Sequence, residues 1–143
     1  MIRYGKQEDL KYINGIDEIC GAKLFDEFEG DRQQEIAEKR LLVFITDSKV
    51  TGYIAVVEES SLFGNPLITF LRVHPQYRRQ GIASALLSKI EQKYSDRQLF
   101  ISTQSNNPIM LNLIEKREYK RSGSLSGLND DGSDEVYFYK TQR

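Results

Sequence analysis

Ile2 to Tyr4 opens the chain with a short apolar stretch that reads as a strand. Over Glu8 to Ile19 the apolar positions take helical spacing. Leu10, Ile13, Ile16 or Asp17, and Ile19 share one side, and a first helix is expected despite Gly15. Asp31 stands as an N-cap for a second helix over Arg32 to Arg40. Leu41 to Thr46 and Val50 to Glu58 read as paired strands around an Asp47-Ser48-Lys49 turn. Leu67 to Val73 is apolar on both faces apart from Thr69 and Arg72, the pattern of a central strand covered on both sides, and Pro75 ends it. From Gly81 to Tyr94 the period changes: Ile82, Leu86 and Ile90 recur every four residues, while Ser88, Lys89, Glu91, Gln92 and Lys93 form a wet face. Leu99 to Thr103 is a strand. Asn107-Pro108 opens a helix that runs from Ile109 to Glu118, with Pro108 near its first position. Tyr119 to Leu128 and Val136 to Thr141 are strands joined by a polar turn from Asn129 to Ser133.

The order β-α-α-β-β-β-α-β-α-β-β predicts an α/β (α+β) fold, a mixed sheet with helices on both faces. Short connections make the first part antiparallel. The helix between the strands at Leu67 and Leu99 permits a parallel crossover. No repeat or long linker divides the chain, so residues 1–143 read as a single domain.

Composition narrows the chemistry. Hydrophobic residues make up 39% and charged residues 29%, which suits a globular protein. Twenty basic side chains nearly balance 21 acidic ones for a net charge of −1. No global attraction to nucleic acid or to an anionic membrane is expected, and any anion site must be local. The single cysteine, Cys20, excludes an internal disulfide framework and a multi-cysteine zinc site, and no metal is expected. Cys20 reads as a small hydrophobe on a helix, or else as a reactive thiol with no activating neighbour in the sequence. No run of about 18 apolar residues marks a membrane span, and the first residues lack the apolar core of a secretory signal. A cytoplasmic setting is expected.

The informative segment is Leu71-Arg72-Val73-His74-Pro75-Gln76-Tyr77-Arg78-Arg79-Gln80-Gly81-Ile82-Ala83. A central strand ends, a basic loop follows, and a helix starts at a glycine. The first N–H groups of a helix lack intrahelical partners and carry roughly half a positive charge together. With Arg78 and Arg79 beside them they make a local anion site, and Gly81 lets a phosphate approach the backbone. The loop is too short for a Walker phosphate loop and lacks the glycines of a dinucleotide fingerprint. The bland alternative is a solvated turn before an ordinary helix.

This segment resembles the coenzyme A pyrophosphate loop of the GNAT acyltransferase superfamily, Arg/Gln-x-x-Gly-x-Gly/Ala, through Arg78, Gly81 and Ala83, extended by Val73, Pro75 and Tyr77. The element order matches that family over nearly the whole chain. The resemblance implies a twisted, mostly antiparallel sheet of about seven strands and acetyl-CoA as acyl donor. It places Arg78, Arg79, Gln80, Gly81, Ile82, Ala83 and Ser84 around the pyrophosphate. It also implies that the strands at Leu67–Val73 and Leu99–Thr103 splay apart, with main-chain groups of Leu71 and Val73 on the pantetheine arm and thioester. Asn107 falls where the family often has a CoA-contacting asparagine.

The family's helix usually carries a tyrosine that protonates the leaving thiolate; Ile114 stands there, and Glu118 stands where glycine is common. A thiol of pKa near 8.5 leaving at pH 7 is penalised by roughly 2 kcal/mol, which water or another hydroxyl can recover. Tyr139, Tyr137 and Tyr119 are available. Neutralising an amine of pKa near 10.4 costs about 4.6 kcal/mol, so a base matters more. The glutamate that family members often carry on the central strand is replaced by Thr69 or Phe70. Glu58 and Glu59, Asp26 and Glu29, or an ordered water remain. His74 reads as structural, with a base role as the alternative. Leu24 to Asp31 reads either as a solvated loop or as an acceptor lip in which Phe25, Asp26 and Glu29, together with Thr69, meet a cationic amine. Lys116, Arg117, Lys120 and Arg121 read as a solvated basic face.

The expected activity is N-acetyl transfer from acetyl-CoA to a small-molecule or protein amine by direct attack. The rivals are a non-catalytic acyl-CoA sensor of the same fold and an unrelated nucleotide-binding domain. The terminal strands leave a homodimer open.

Overall fold

The structure, a computed structural model, describes residues 1–21 and 31–141. Its strands are β1 (Ile2–Tyr4), β2 (Leu41–Thr46), β3 (Lys49–Val57), β4 (Leu67–Val73), β5 (Gln98–Gln104), β6 (Lys120–Leu125) and β7 (Glu135–Thr141). Its helices are α1 (Leu10–Ile19), α2 (Arg32–Ala37), α3 (Ile82–Lys93) and α4 (Pro108–Lys116). The strands form one seven-stranded sheet in the order β1-β2-β3-β4-β5-β7-β6. The β1–β2, β2–β3, β5–β7 and β6–β7 ladders are antiparallel and the β4–β5 ladder is parallel, the mixed arrangement that the element order predicts.

Two compact units divide the chain, one of residues 1–56 and 70–90, the other of residues 57–69 and 91 onward. In the first, β2 pairs with β1 and β3, and Asp47 and Ser48 close the β2–β3 hairpin with φ of 50° and 65°. Two left-handed residues give a turn whose twist matches that of the strands. Ile13 and Ile16 of α1 and Ile36 of α2 pack with Leu41, Val43, Val50, Tyr53 and Ala55. The α1 stripe exists because its apolar side chains recur every three to four residues.

In the second unit the parallel ladder joins Leu67 to Phe100 and Ile68 to Ile101. β7 pairs along β5 from Gln98↔Thr141 to Gln104↔Glu135 and holds β6 on its other side. The β6 ladder shifts register between Arg121 and Gly123. Leu99, Ile101, Ile114, Val136 and Phe138 are buried there.

Several expectations are corrected. α2 stops at Ala37 rather than Arg40, because Lys39 turns left-handed (φ 56°) and Arg40 N–H reaches back to Glu35 O at 2.8 Å. α4 ends the same way: Glu118 has φ 68°, its N–H bonds Glu115 O at 2.9 Å, and Tyr119 N–H bonds Ile114 O at 3.3 Å. This paired closure satisfies the last carbonyls and favours glycine at the left-handed residue. The pattern of β4 predicts cover on both faces, yet only Ile68 is buried, while Leu67 and Thr69 to Val73 are half-buried.

Glu91 leaves the wet face of α3 and is 9% exposed. Its carboxylate accepts from Arg117 at 2.5 Å and from the Tyr119 hydroxyl at 2.9 Å, with the Lys140 ammonium at 3.6 Å. Arg117 is therefore a half-buried ion-pair partner and not part of a solvated basic face.

Candidate functional site

The loop after β4 is fixed from beneath. His74 N–H donates to Thr51 O at 2.8 Å, tying the strand end to β3. The His74 Nδ1 accepts the Gln76 N–H at 3.1 Å, and Tyr77 N–H returns to His74 O at 2.9 Å, folding Pro75–Tyr77 into a 3-10 turn. The lone histidine thus caps that turn. Arg79 and Gly81 then take φ of 65° and 78°. The first backbone bond of α3 runs from Ala85 N–H to Gly81 O at 3.0 Å. The amides of Ile82, Ala83 and Ser84 precede that bond and lack helical acceptors.

Two glycines act here in opposite ways. A Cβ on Gly81 would meet nothing within 4 Å among the described residues, so these leave the space over the loop open. A Cβ on Gly52 of β3 would lie 2.8 Å from Ile82 Cγ2 and 3.2 Å from Arg72 O. Gly52 therefore lets α3 begin directly against the sheet, with Ile82 buried at 3% exposure as the anchor. The Ile82 side chain faces the core, so only its amide is offered outward. Arg78, Arg79 and Gln80 are exposed, and Ala83 and Ser84 half-buried. Phosphate oxygens fit this donor set: main-chain N–H groups, a helix start and two guanidinium groups in the same loop, with no described side chain over Gly81.

Cys20 does not sit apart from the loop as its sequence distance suggests. It follows α1, half-buried, with its Sγ 4.0 Å from Val73 O and 3.7 Å from the Arg78 guanidinium.

A buried ionic cluster lies against β4 and was missed in the sequence. Asp17 of α1 accepts from the Tyr53 hydroxyl, from Arg72 at 2.8 Å and from Arg32 at 3.3 Å. Arg32 also donates to Glu35 at 2.5 Å. The Arg32 guanidinium stacks 3.8 Å from the centre of the Phe70 ring, and that of Arg72 lies 5.0 Å from it. Burial pushes the Tyr53 hydroxyl far above its usual range, so it stays a neutral donor. Burial likewise raises the Glu35 carboxyl, against the pull of Arg32. Two signals were available: Asp17 on the apolar side of α1, and Arg72 inside an apolar strand.

The remaining candidates separate. Leu71 and Val73 are half-buried on β4, and Thr69 is half-buried on the same strand. Glu58 is half-buried and Glu59 exposed, just past β3. Tyr139 lies on β7 opposite Phe100, their rings 6.0 Å apart. Asn107 caps α4, its side-chain oxygen accepting Met110 N–H at 3.2 Å. Ile114 is fully buried. Phe25, Asp26 and Glu29 lie outside the described residues. Among the described residues no cluster of metal-binding side chains occurs, and no helix is long and apolar enough to cross a membrane.

A mixed seven-stranded sheet in this order is shared with a solved acetyltransferase of the GNAT family. The chain belongs to the acetyltransferase (GNAT) family, whose sequence profile matches residues 10–119. A curated relative, acetyltransferase SG1711 of Sodalis glossinidius (strain morsitans), is 36% identical over 59 residues, 39% of this chain and 42% of the relative. The chain thus spans less than half of that protein in the match. The GNAT-family acetyltransferase from Bacillus cereus ATCC 10987 superposes with a TM-score of 0.83 at 25% identity, covering 100% of this chain and 97% of that one. The yncA protein of Salmonella typhimurium, solved with its cofactor acetyl-CoA, shares the fold with a TM-score of 0.79 at 16% identity, covering 100% and 94%.

Proposed function

We propose that the chain transfers the acetyl group of acetyl-CoA to a primary amine by direct attack. The observation that carries this reading is the start of α3: amides of Ile82, Ala83 and Ser84 ahead of the first helical bond, beneath an open Gly81 and beside Arg78 and Arg79. These groups hold the pyrophosphate, joined by the amides of Arg79 and Gln80. Acetyl-CoA supplies the activated acyl group. Main-chain groups of Leu71 and Val73 orient the arm and direct an N–H at the carbonyl oxygen, where charge builds during attack. Asn107 contributes a further polar contact through the amide nitrogen that its cap does not use.

The amine must lose a proton to react. Glu58 and Glu59 are the bases in this reading, with an ordered water as relay, and Tyr139 is the acid for the thiolate. Phe25, Asp26, Glu29 and Thr69 receive the acceptor. Titration calorimetry with acetyl-CoA tests the first step. The parent binds, and Gly81→Glu, which places a carboxylate on the phosphate path, does not. Equal binding by that variant removes the site assignment. Thiol release across a panel of amines tests the second step.

The burial of Ile114 favours a second reading. At the position of the family's tyrosine this chain offers no hydroxyl, which suits an acyl-CoA-binding sensor. Binding without thiol release on any amine selects that reading.

A further inference from the structure

We propose that a cavity in the first unit, bounded by α1, the start of β3 and the Pro75–Tyr77 turn, binds a small phosphate monoester. Its volume is about 260 Å³, just below the roughly 300–1,000 Å³ of drug-sized ligand pockets and enough for a small ligand. Lys11 lines it from α1 and Lys49 from β3, with His74 and Tyr77 from the turn. Among the described residues lining it none is acidic. The His74 Nδ1 accepts the Gln76 N–H, so the ring carries its proton on Nε2, which is a donor. Two ammonium groups and that donor match a phosphate monoester, which carries about −1.5 to −2 charge at pH 7. A carboxylate answers only half of that charge. The Tyr12 and Tyr77 rings give flat walls for the body of the ester; the Tyr77 ring stands edge-on to His74 at 5.7 Å.

Gly15 supplies an independent observation. It stands inside α1, where glycine weakens a helix relative to alanine. Its backbone does not enter the left-handed region, and a Cβ there would meet nothing within 4 Å among the described residues. Neither conformation nor packing calls for glycine. Gly15 lines the cavity, and its missing side chain keeps that space open. None of residues 78–84 lines the cavity, and the inference does not rest on acetyl transfer.

Phenyl phosphate is the probe, followed by amide NMR shifts, with benzoate as the singly charged control. The expected result is saturable binding with shifts at Lys11, Gly15, Lys49 and Tyr77, at least tenfold tighter than benzoate. Gly15→Leu, which fills the cavity, and the double variant Lys11→Met, Lys49→Met each weaken it at least tenfold while their thermal melts stay cooperative. Gly81→Glu leaves it unchanged, which separates this site from the loop amides. No saturable binding by the parent, undiminished binding by Gly15→Leu, benzoate binding as tight as phenyl phosphate, or loss in Gly81→Glu each overturns the proposal.

Discussion

Gly52 and Ile82 define how closely α3 approaches the sheet: a side-chain carbon on Gly52 would lie 2.8 Å from Ile82 Cγ2. Ile82 is 3% exposed, buried in the core. Gly52→Ala therefore either lifts the helix start or strains the core, at about 1–3 kcal/mol. Urea melts should show that loss, and calorimetry should show weaker acetyl-CoA binding, because the amides that precede the first helical bond move with Ile82. A Gly52→Ala protein with parental stability and affinity contradicts this view of the loop.

Glu118 is a left-handed residue at the end of α4 and is exposed. Glu118→Gly removes a steric penalty of roughly 1–2 kcal/mol, partly offset by the greater freedom of glycine in the unfolded chain. The net gain should be about 0.5–1 kcal/mol, seen as a rise of a few degrees in Tm. Glu118→Ala keeps a Cβ in the same conformation and should show no such gain.

Burial opposes charge on Glu91, but the hydrogen bonds from Arg117 and Tyr119 and the charge of Lys140 outweigh it and hold the carboxyl below its ordinary value of 4.5. A carboxylate with a lowered folded pKa contributes stability above its unfolded pKa and loses it as pH falls through the folded one. Glu91→Gln should cost about 2 kcal/mol at pH 7. The gap between parent and variant should close as pH drops below 4.5, which denaturant melts at a series of pH values can follow.

Asp17 neutralises Arg32 and Arg72 and accepts from Tyr53. Asp17→Asn leaves two guanidinium groups without that charge and should cost about 3–5 kcal/mol. Tyr53→Phe removes one hydroxyl donor and should cost about 1–2 kcal/mol. The two share one carboxylate, so the double variant should lose less than the sum of the singles.

Much of the fold was legible because short-range patterning decides it. The expected limits of β1, β2 and β4 match the observed ones, and Asn107-Pro108 opens α4 as expected. The basic loop was legible through its residue types and its place between a strand and a helix. What failed depended on partners distant in sequence. Glu91 fits a solvated face until Arg117, Tyr119 and Lys140 arrive from other elements. Asp17 and Arg72 are 55 residues apart, and neither predicts the other. The ends of α2 and α4 turn on left-handed backbone at Lys39 and Glu118, residue types that give no sign of it.

β6 closes one margin of the sheet, with Lys120 and Arg121 exposed and its ladder broken before Gly123. A stray extended peptide arriving there would meet cationic side chains and an interrupted row of main-chain donors. Fibril-like stacking through that margin is opposed by the same break in register.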